Sequence, residues 1–536
     1  MLIKKGFYII ATIFLIASNT YATEDSLQKV INLQASKFKY MLENAAQYHK
    51  DSIDIIKSSD IAFHSLLNSF DKNSEYYPKS VIAKLNERNK GVTVGIGIDV
   101  FPINDTLTIV NVAKKSPSEE AGLQIGDQVL FINDEPTSRM NRSEVMAHLS
   151  GDTATKVSLI IKAFANNNFK PITIERKLYE SYSVASPIMF DNKIAYIAIN
   201  RFSELTGKEF ADYASKIKSK KPKCIIVDLR GNTGGYLLQA VEVADQFLPD
   251  SLLICETIAK ADRFKEKFYS KVKGEFEKIP LIILVDSISA SGSEILAAAI
   301  QDYDRGLIIG TQTYGKATAQ RMINLVDSTA FKLTVAEYRT PLGRRLQKET
   351  DSIRSELDES ADVILGNQSK QSVEEMLKRY GGVDKLTIYK TKGGRSLFSP
   401  WGILPDIFVH KDTSTALTNV LRSKGLFLEW AFEYYQQNKA NYKDEFANFE
   451  KYKELFQIDD LKLELFKGFC INKKIWNNEM FQIDKSKIAI NLKSVIAFVA
   501  FGAKESNEIM LENDIFVKTA LQNLEKAELM FKNNGY

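Results

Sequence analysis

The chain has 536 residues, 44% of them hydrophobic and 26% charged, which is the make-up of a globular protein long enough for three or four domains. Its 71 Lys and Arg residues stand against 67 Asp and Glu, and the net charge of +4 forms no basic stripe, which argues against a nucleic-acid partner. Three cysteines, Cys224, Cys255 and Cys470, are too few for a disulfide framework. Cys224 and Cys255 lie in apolar strand-like runs and read as small buried hydrophobes, with a single bridge between them as the alternative.

Lys4 and Lys5 precede an apolar run at residues 7–17, and Thr20-Tyr21-Ala22 offers a small-x-small cleavage pattern. That order predicts a signal peptide over 1–22 and a periplasmic or secreted protein; the alternative is an uncleaved segment anchoring it to the inner membrane. Residues 23–90 have helical apolar spacing at Ile53, Ile56, Ile61, Leu66 and Leu67, and contain L-N-S-F-D-K-N-S-E-Y-Y-P at 67–78. Residues 91–177 carry Gly95-Ile96-Gly97-Ile98, then S-P-S-E-E-A-G-L-Q-I-G-D-Q-V-L-F-I-N-D at 116–134, a pair of blocks similar to a PDZ domain. Glycines there let successive amide N–H groups converge on a terminal carboxylate while the peptide adds to a sheet edge. A helix at 142–149 would line the groove with Val145, Met146 and Leu149, so the expected ligand is an apolar C-terminal tail.

A strand at 194–197 leads to Arg201-Phe202-Ser203. The apolar run from Cys224 then ends in D-L-R-G-N-T-G-G, residues 228–235, and a helix follows over 237–247, so that backbone amides can approach a ligand there. Next come a buried strand at 281–285, a Ser/Gly/Ala turn at 287–292, a helix from Ser293, a strand at 306–310, and Gly315-Lys316. A further strand at 331–338 runs into Y-R-T-P-L-G-R at 338–344. An acidic helix-forming insert is expected at 349–378, and the core returns at 389–395 and in G-I-L-P-D at 402–406. Beyond 417 the chain is helical, with apolar stripes at Phe446, Phe449, Tyr452 and Phe456 and at Val517, Ala520, Leu521 and Leu524. This last region reads as a cap or an assembly surface.

The turn at 287–292 suits a nucleophile, because a serine hydroxyl at a strand-to-helix corner has helix-start amides beside it for an oxyanion. None of the four histidines, His49, His64, His148 and His410, sits beside a glycine-framed serine or in an H-E-x-x-H spacing. Lys316 is the better base. Its ordinary pKa of about 10.4 must fall by about 3 pH units, equivalent to about 4 kcal/mol, which requires desolvation. Gln320, four residues on, can orient the amine. The residues alone leave Ser289, Ser291 and Ser293 as rival nucleophiles, and Asp302 near Arg305 as either a brace for the site or a surface salt bridge.

The blocks S-A-S-G-S-E-I-L-A-A-A-I-Q-D and G-x-x-T-Y-G-K-A-T-A-Q resemble the carboxyl-terminal processing, or tail-specific, proteases, a Ser-Lys family of S41 peptidases. Their usual text is A-S-A-S-E with F-G-K-G-x-x-Q, so Gly292, Tyr314 and Ala317 are departures, and none removes a reacting group. The 67–78 segment is similar to their D-P-x-S-x-Y, with Lys72 in place of a proline; 228–235, 338–344 and 402–406 are similar to D-L-R-x-N-x-G-G, Y-x-T-P-x-G-R and G-I-x-P-D. The resemblance implies a multidomain α/β protein: a crotonase/ClpP-like protease core over 178–412, an inserted PDZ domain over 91–177, and helical regions at 23–90 and 413–536. It selects Ser291 as nucleophile, Lys316 as base and Gln320 as its partner, with Gly234 or Gly235 and Gly292 as oxyanion donors, and Gly95, Ile96, Gly97 and Ile98 as the PDZ carboxylate loop. No metal or organic cofactor is implied. The implied partners are protein substrates with apolar C-terminal tails, with an adaptor and self-association through the C-terminal helices as further expectations. The rival class is an inactive PDZ-containing scaffold or holdase.

Overall fold

The computed structural model describes residues 3–191, 193–271, 273–348, 387–398, 401–410 and 413–535; the insert expected at 349–378 lies outside them. Two compact units emerge, Met1–Lys79 with Gln320–Thr334, and Ser80–Ala319 with Val335–Tyr536.

The smaller unit begins with α1 (Ile3–Tyr48), which runs through the segment read as a leader, followed by α2 (Ile55–Asn68) and β1 (Glu75–Tyr77). Among the described residues no helix is long and apolar enough to cross a membrane. Asp54 caps α2 by accepting the Lys57 amide. In the 67–78 motif Asp71 accepts the amides of Asn73 and Ser74 and the Ser74 hydroxyl, which turns the chain into β1. There β1 pairs antiparallel with residues 330–332.

The larger unit opens with α3 (Lys79–Lys90) and β2 (Val92–Gly95). Six strands, β3 (Ile98–Ile103), β4 (Thr106–Val112), β5 (Gln128–Ile132), β6 (Glu135–Pro136), β7 (Lys156–Lys162) and β8 (Phe169–Glu175), then form one sheet in the order β3-β4-β5-β7-β8, with β6 on β5. Helices α4 (Pro117–Glu120) and α5 (Arg142–Leu149) complete this PDZ region, whose core includes Ile96, Ile109, Val129, Ile132 and Leu159. Strand β9 (Lys177–Glu180) pairs with β2, so the chain enters and leaves the PDZ region through one two-stranded ribbon.

The catalytic sheet runs β10 (Ile188–Phe190), β11 (Ile194–Ala198), β12 (Cys224–Asp228), β15 (Leu281–Val285), β16 (Leu307–Gly310) and β21 (Ile407–Phe408). It is parallel from β11 onward, and its strands are continuous apolar runs because both faces are buried. Alternate residues sort to opposite sides. Ile225, Val227, Ile283 and Val285 face α6 (Thr206–Lys218), α7 (Leu237–Asp245) and α8 (Gly292–Asp302). Ile226, Ile282, Leu284 and Ile309 face Phe516, Val517, Ala520 and Ala527. Cys224 belongs to the second face and Cys255 to the first cluster, so the two thiols stay free and no bridge forms. Strands β13 (Leu253–Ala259) and β14 (Lys267–Tyr269) pair beside the core, where β13 also meets the end of β18 (Ala330–Arg339), which follows β17 (Thr318–Asn324). A hairpin, β19 (Ile388–Lys390) and β20 (Ser396–Phe398), precedes β21.

Eight helices end the described chain: α9 (Ala416–Ser423), α10 (Leu426–Asn438), α11 (Phe449–Leu455), α12 (Asp460–Asn472), α13 (Asn478–Phe501), α14 (Ala503–Asn513), α15 (Ile515–Gln522) and α16 (Leu524–Asn533). The two apolar stripes part company here. Tyr452 and Phe456 join Trp430, Phe466 and Leu492 in a core of their own, whereas Val517 and Ala520 form the second layer of the catalytic sheet.

Candidate active site

Strand β15 is followed by Asp286, whose carboxylate accepts the amides of Gly231, Ile288 and Ser289 and so stitches the turn to the loop after β12. The three rival serines are then distinguishable. Ser289 donates its hydroxyl to the Leu229 carbonyl at 2.8 Å, and Ser293 donates to the Asn232 carbonyl at 3.0 Å; both are fully buried. Ser291 keeps 8% exposure and sits at φ +56°, ψ −111°, immediately before α8. A non-glycine residue with positive φ is strained, and such strain persists only where neighbours enforce it.

The enforcing neighbour is Glu294. Its carboxylate is completely buried. Oε2 accepts the amide of Ser291 at 2.9 Å and the amide of Lys316 at 2.8 Å; Oε1 accepts the amide of Gly315 at 2.7 Å and the hydroxyl of Thr313 at 2.6 Å. Two amides sharing one oxygen lie no further apart than those two lengths laid end to end, so the backbones of Ser291 and Lys316 are neighbours. Burial pushes the Glu294 carboxyl up to about 7, although these four donors pull the other way. The G-I-L-P-D run pins the same loop: Ile403 exchanges bonds with Thr313, and Asp406 accepts the Ile308 amide. Lys316 itself is half-buried.

Asn232 joins the other wall. Its side chain donates to the Ile199 carbonyl and accepts the Gly234 amide, both at 2.8 Å, while its own carbonyl accepts the Ala290 amide. The Gly234 amide is therefore committed, which corrects its reading as an oxyanion donor. Gly234 serves by having no side chain: at φ +96° a Cβ there would stand 2.7 Å from the Ser291 Cβ. The Gly235 amide enters no bond among the described residues, and Gly292, as the first residue of α8, has no acceptor within the helix. Two of the three departures from the family text are absorbed. A Cβ on Gly292 would press on Phe202 at 3.0 Å, and Ala317 is buried with its amide on Gln347.

Further predicted residues have partners of their own. Gln320 belongs to the smaller unit, where its amide donates to Thr334, whose hydroxyl in turn donates to Asp71. Asp302 does not pair with Arg305; it forms a fully buried ion pair with Arg344 at 2.6 Å, while Arg305 donates to the carbonyls of Phe247, Phe276 and Ile279. In the PDZ region the Ile96 and Gly97 amides enter no bond among the described residues, and they precede β3, an edge strand. Gly95 and Ile96 are buried, and Ile98, at the start of β3, is half-buried. Val145 and Leu149, at 4% and 5% exposure, are core rather than groove wall, because that side of α5 turns inward; Met146, at 48%, is the member of the trio that faces outward. Sequence reading missed Glu294 and Asn232 as site residues. The signal was available for Glu294, a carboxylate three residues after Ser291 that directly precedes the apolar run at residues 295–300.

Residues 193–354 match Peptidase family S41, residues 108–162 a PDZ domain, and residues 417–502 a family of unknown function. With a serine held at this corner, the S41 match defines a serine-type peptidase. The chain is 30% identical over 353 residues to the carboxy-terminal-processing protease of Bartonella bacilliformis, covering 65% of this chain and 81% of that one. It is 31% identical over 340 residues to the carboxy-terminal processing protease CtpA of Bacillus subtilis, with 62% and 72% covered. A solved structure of the photosystem II D1 C-terminal processing protease is similar at 22% identity over 57% of this chain and 82% of that one, with a TM-score of 0.33. The chain belongs to the carboxy-terminal processing protease family of S41 peptidases.

Proposed function

We propose that the protein is an exported endopeptidase that captures protein substrates by an apolar C-terminal tail in its PDZ groove and cleaves them with Ser291 and Lys316. Ser291 Oγ attacks the scissile carbonyl as the Lys316 amine takes its proton. The oxyanion settles on the Gly292 and Gly235 amides, which are fixed in place before reaction and lose nothing to reorganisation. The lysine returns the proton to the departing amine, and water hydrolyses the acyl-enzyme by the same route. Gln320 orients the amine in this scheme. The lysine-rich, apolar start of the chain supports export to the periplasm or beyond, with an uncleaved inner-membrane anchor as the alternative; an adaptor and self-association through the C-terminal helices fit the scheme without being needed by it.

The observation that carries this reading is the carboxylate oxygen shared by the amides of Ser291 and Lys316, beside the one of the three rival serines whose hydroxyl is not spent on a backbone carbonyl among the described residues. The test is the intact mass of an unfolded, apolar-tailed protein before and after incubation. Wild type should release defined fragments, and Ser291→Ala and Lys316→Ala should each reduce turnover by about 10⁴-fold or more while tail binding persists. A fully active variant of either kind would end the Ser-Lys assignment.

A further inference from the structure

Glu294 has no step of its own in the reaction, yet its buried carboxylate accepts four hydrogen bonds at the site. Helix capping does not account for this. A capping carboxylate at this position needs to satisfy only the amide of the residue before the helix, here Ser291. That is one bond of four; the other three go to Thr313, Gly315 and Lys316, on the loop after β16. Every partner is a donor, two to each oxygen, so the pattern is written for a carboxylate and for nothing else. An amide in its place would aim N–H at N–H on one side. Burying the group without solvent is costly unless all of its acceptors are filled, and here they are.

We propose that Glu294 is a positioning residue: by holding the amides of Ser291 and Lys316 on a single oxygen, its ionised carboxylate sets the spacing between the attacking hydroxyl and the base. This rests on the Ser291–Lys316 reading. Backbones joined in this way move together, so the loop that carries the lysine cannot drift without pulling on the strained serine. A misplacement of about 1 Å between reacting groups costs about 100-fold in rate, so the carboxylate acts on turnover rather than on capture of the tail.

The experiment compares full-length wild type, Glu294→Gln, Thr313→Val and Ser291→Ala on an unfolded apolar-tailed protein, with kcat, KM and melting temperature recorded for each. Glu294→Gln should lose about 100-fold in kcat with KM unchanged within about 2-fold. Thr313→Val, which keeps the carboxylate and removes one of its four donors, should lose about 5- to 10-fold in kcat. A Glu294→Gln protein that folds and keeps wild-type kcat, or one that loses activity only in proportion to its folded fraction, overturns the proposal. Where Glu294→Gln does not fold, Thr313→Val decides, and unchanged kcat overturns it. Ser291→Ala separates the two levels: if it is active, the Ser-Lys reading falls; if it is inactive while Glu294→Gln is active, only the positioning role falls.

Discussion

Ser291 and Glu294 illustrate how a side chain's role is fixed by what its neighbours have already used. Three serines within five residues have the same chemistry, and the sequence alone left them as rivals. The structure separates them because two hydroxyls are spent on the carbonyls of Leu229 and Asn232. No spacing rule encodes that, since the acceptors lie some sixty positions away. Glu294 adds a pH signature. Its carboxyl is raised by burial to about 7, while the same group in an unfolded chain titrates near 4.3. The folded state therefore holds this proton more tightly than the unfolded chain, and its contribution to stability is full below about pH 4.3 and lost as pH rises through about 7, by about 4 kcal/mol. Activity should move the other way, because only the ionised form can hold both amides. Between pH 5.5 and 8 the rate should climb while the stability difference between wild type and Glu294→Gln shifts against wild type. Thermal melts and kcat across that range check it, and parallel trends would contradict the assignment.

The elements themselves were largely legible. Continuous apolar runs announced β12, β15 and β16, and the structure puts their ends within a residue or so of the expected positions. A doubly buried parallel strand leaves such a signature because neither face tolerates polar atoms. Less legible was which side of α5 faces outward. Val145, Met146 and Leu149 are all apolar, and only packing reveals that two of them fill the PDZ core. The corner after β12 gives a test at this level. Its Gly234 combines a left-handed backbone with close approach to the Ser291 Cβ, so Gly234→Ala forces both strain and a clash. Strain of about 1–3 kcal/mol at a reacting group should lower kcat by about 10- to 100-fold, with the melting temperature reduced by a few degrees. Steady-state kinetics at matched folded fraction would measure it, and a wild-type rate would mean that the corner can open without penalty.

At the scale of the larger unit, α10 joins the PDZ region to the C-terminal helices. Phe164, at the tip of the β7–β8 hairpin, meets Phe432 edge-on at 5.2 Å and stacks near Tyr435, and its carbonyl accepts the Gln436 amide. Asn104, in the β3–β4 turn, donates to Glu433, and Phe101 lies against Gly425. These contacts stand at the end of β3 away from residues 95–98, so the helices hold in a fixed pose the edge strand that receives the tail in the proposed function. Each aromatic pair is worth about 0.5–1.5 kcal/mol. Phe164→Ala should therefore slow cleavage of a tailed protein by about 3- to 10-fold, while a short untailed peptide is cut at the wild-type rate. Equal rates on both substrates would make the contact simple packing. None of this was readable from periodicity, because an apolar stripe states that a helix face is covered without naming what covers it.

The same separation in sequence has a consequence for when the enzyme comes to life. Arg230, beside the glycines of the oxyanion loop, is clamped between Asp228 and Asp514, a residue 284 positions further along, and Phe516 and its neighbours roof the sheet that carries the serine. A nascent chain emerging from the ribosome thus carries Ser291 long before it carries the residues that roof the sheet beneath it. Arg230 and that face of the sheet meet their last partners only once residues 514–527 have been made.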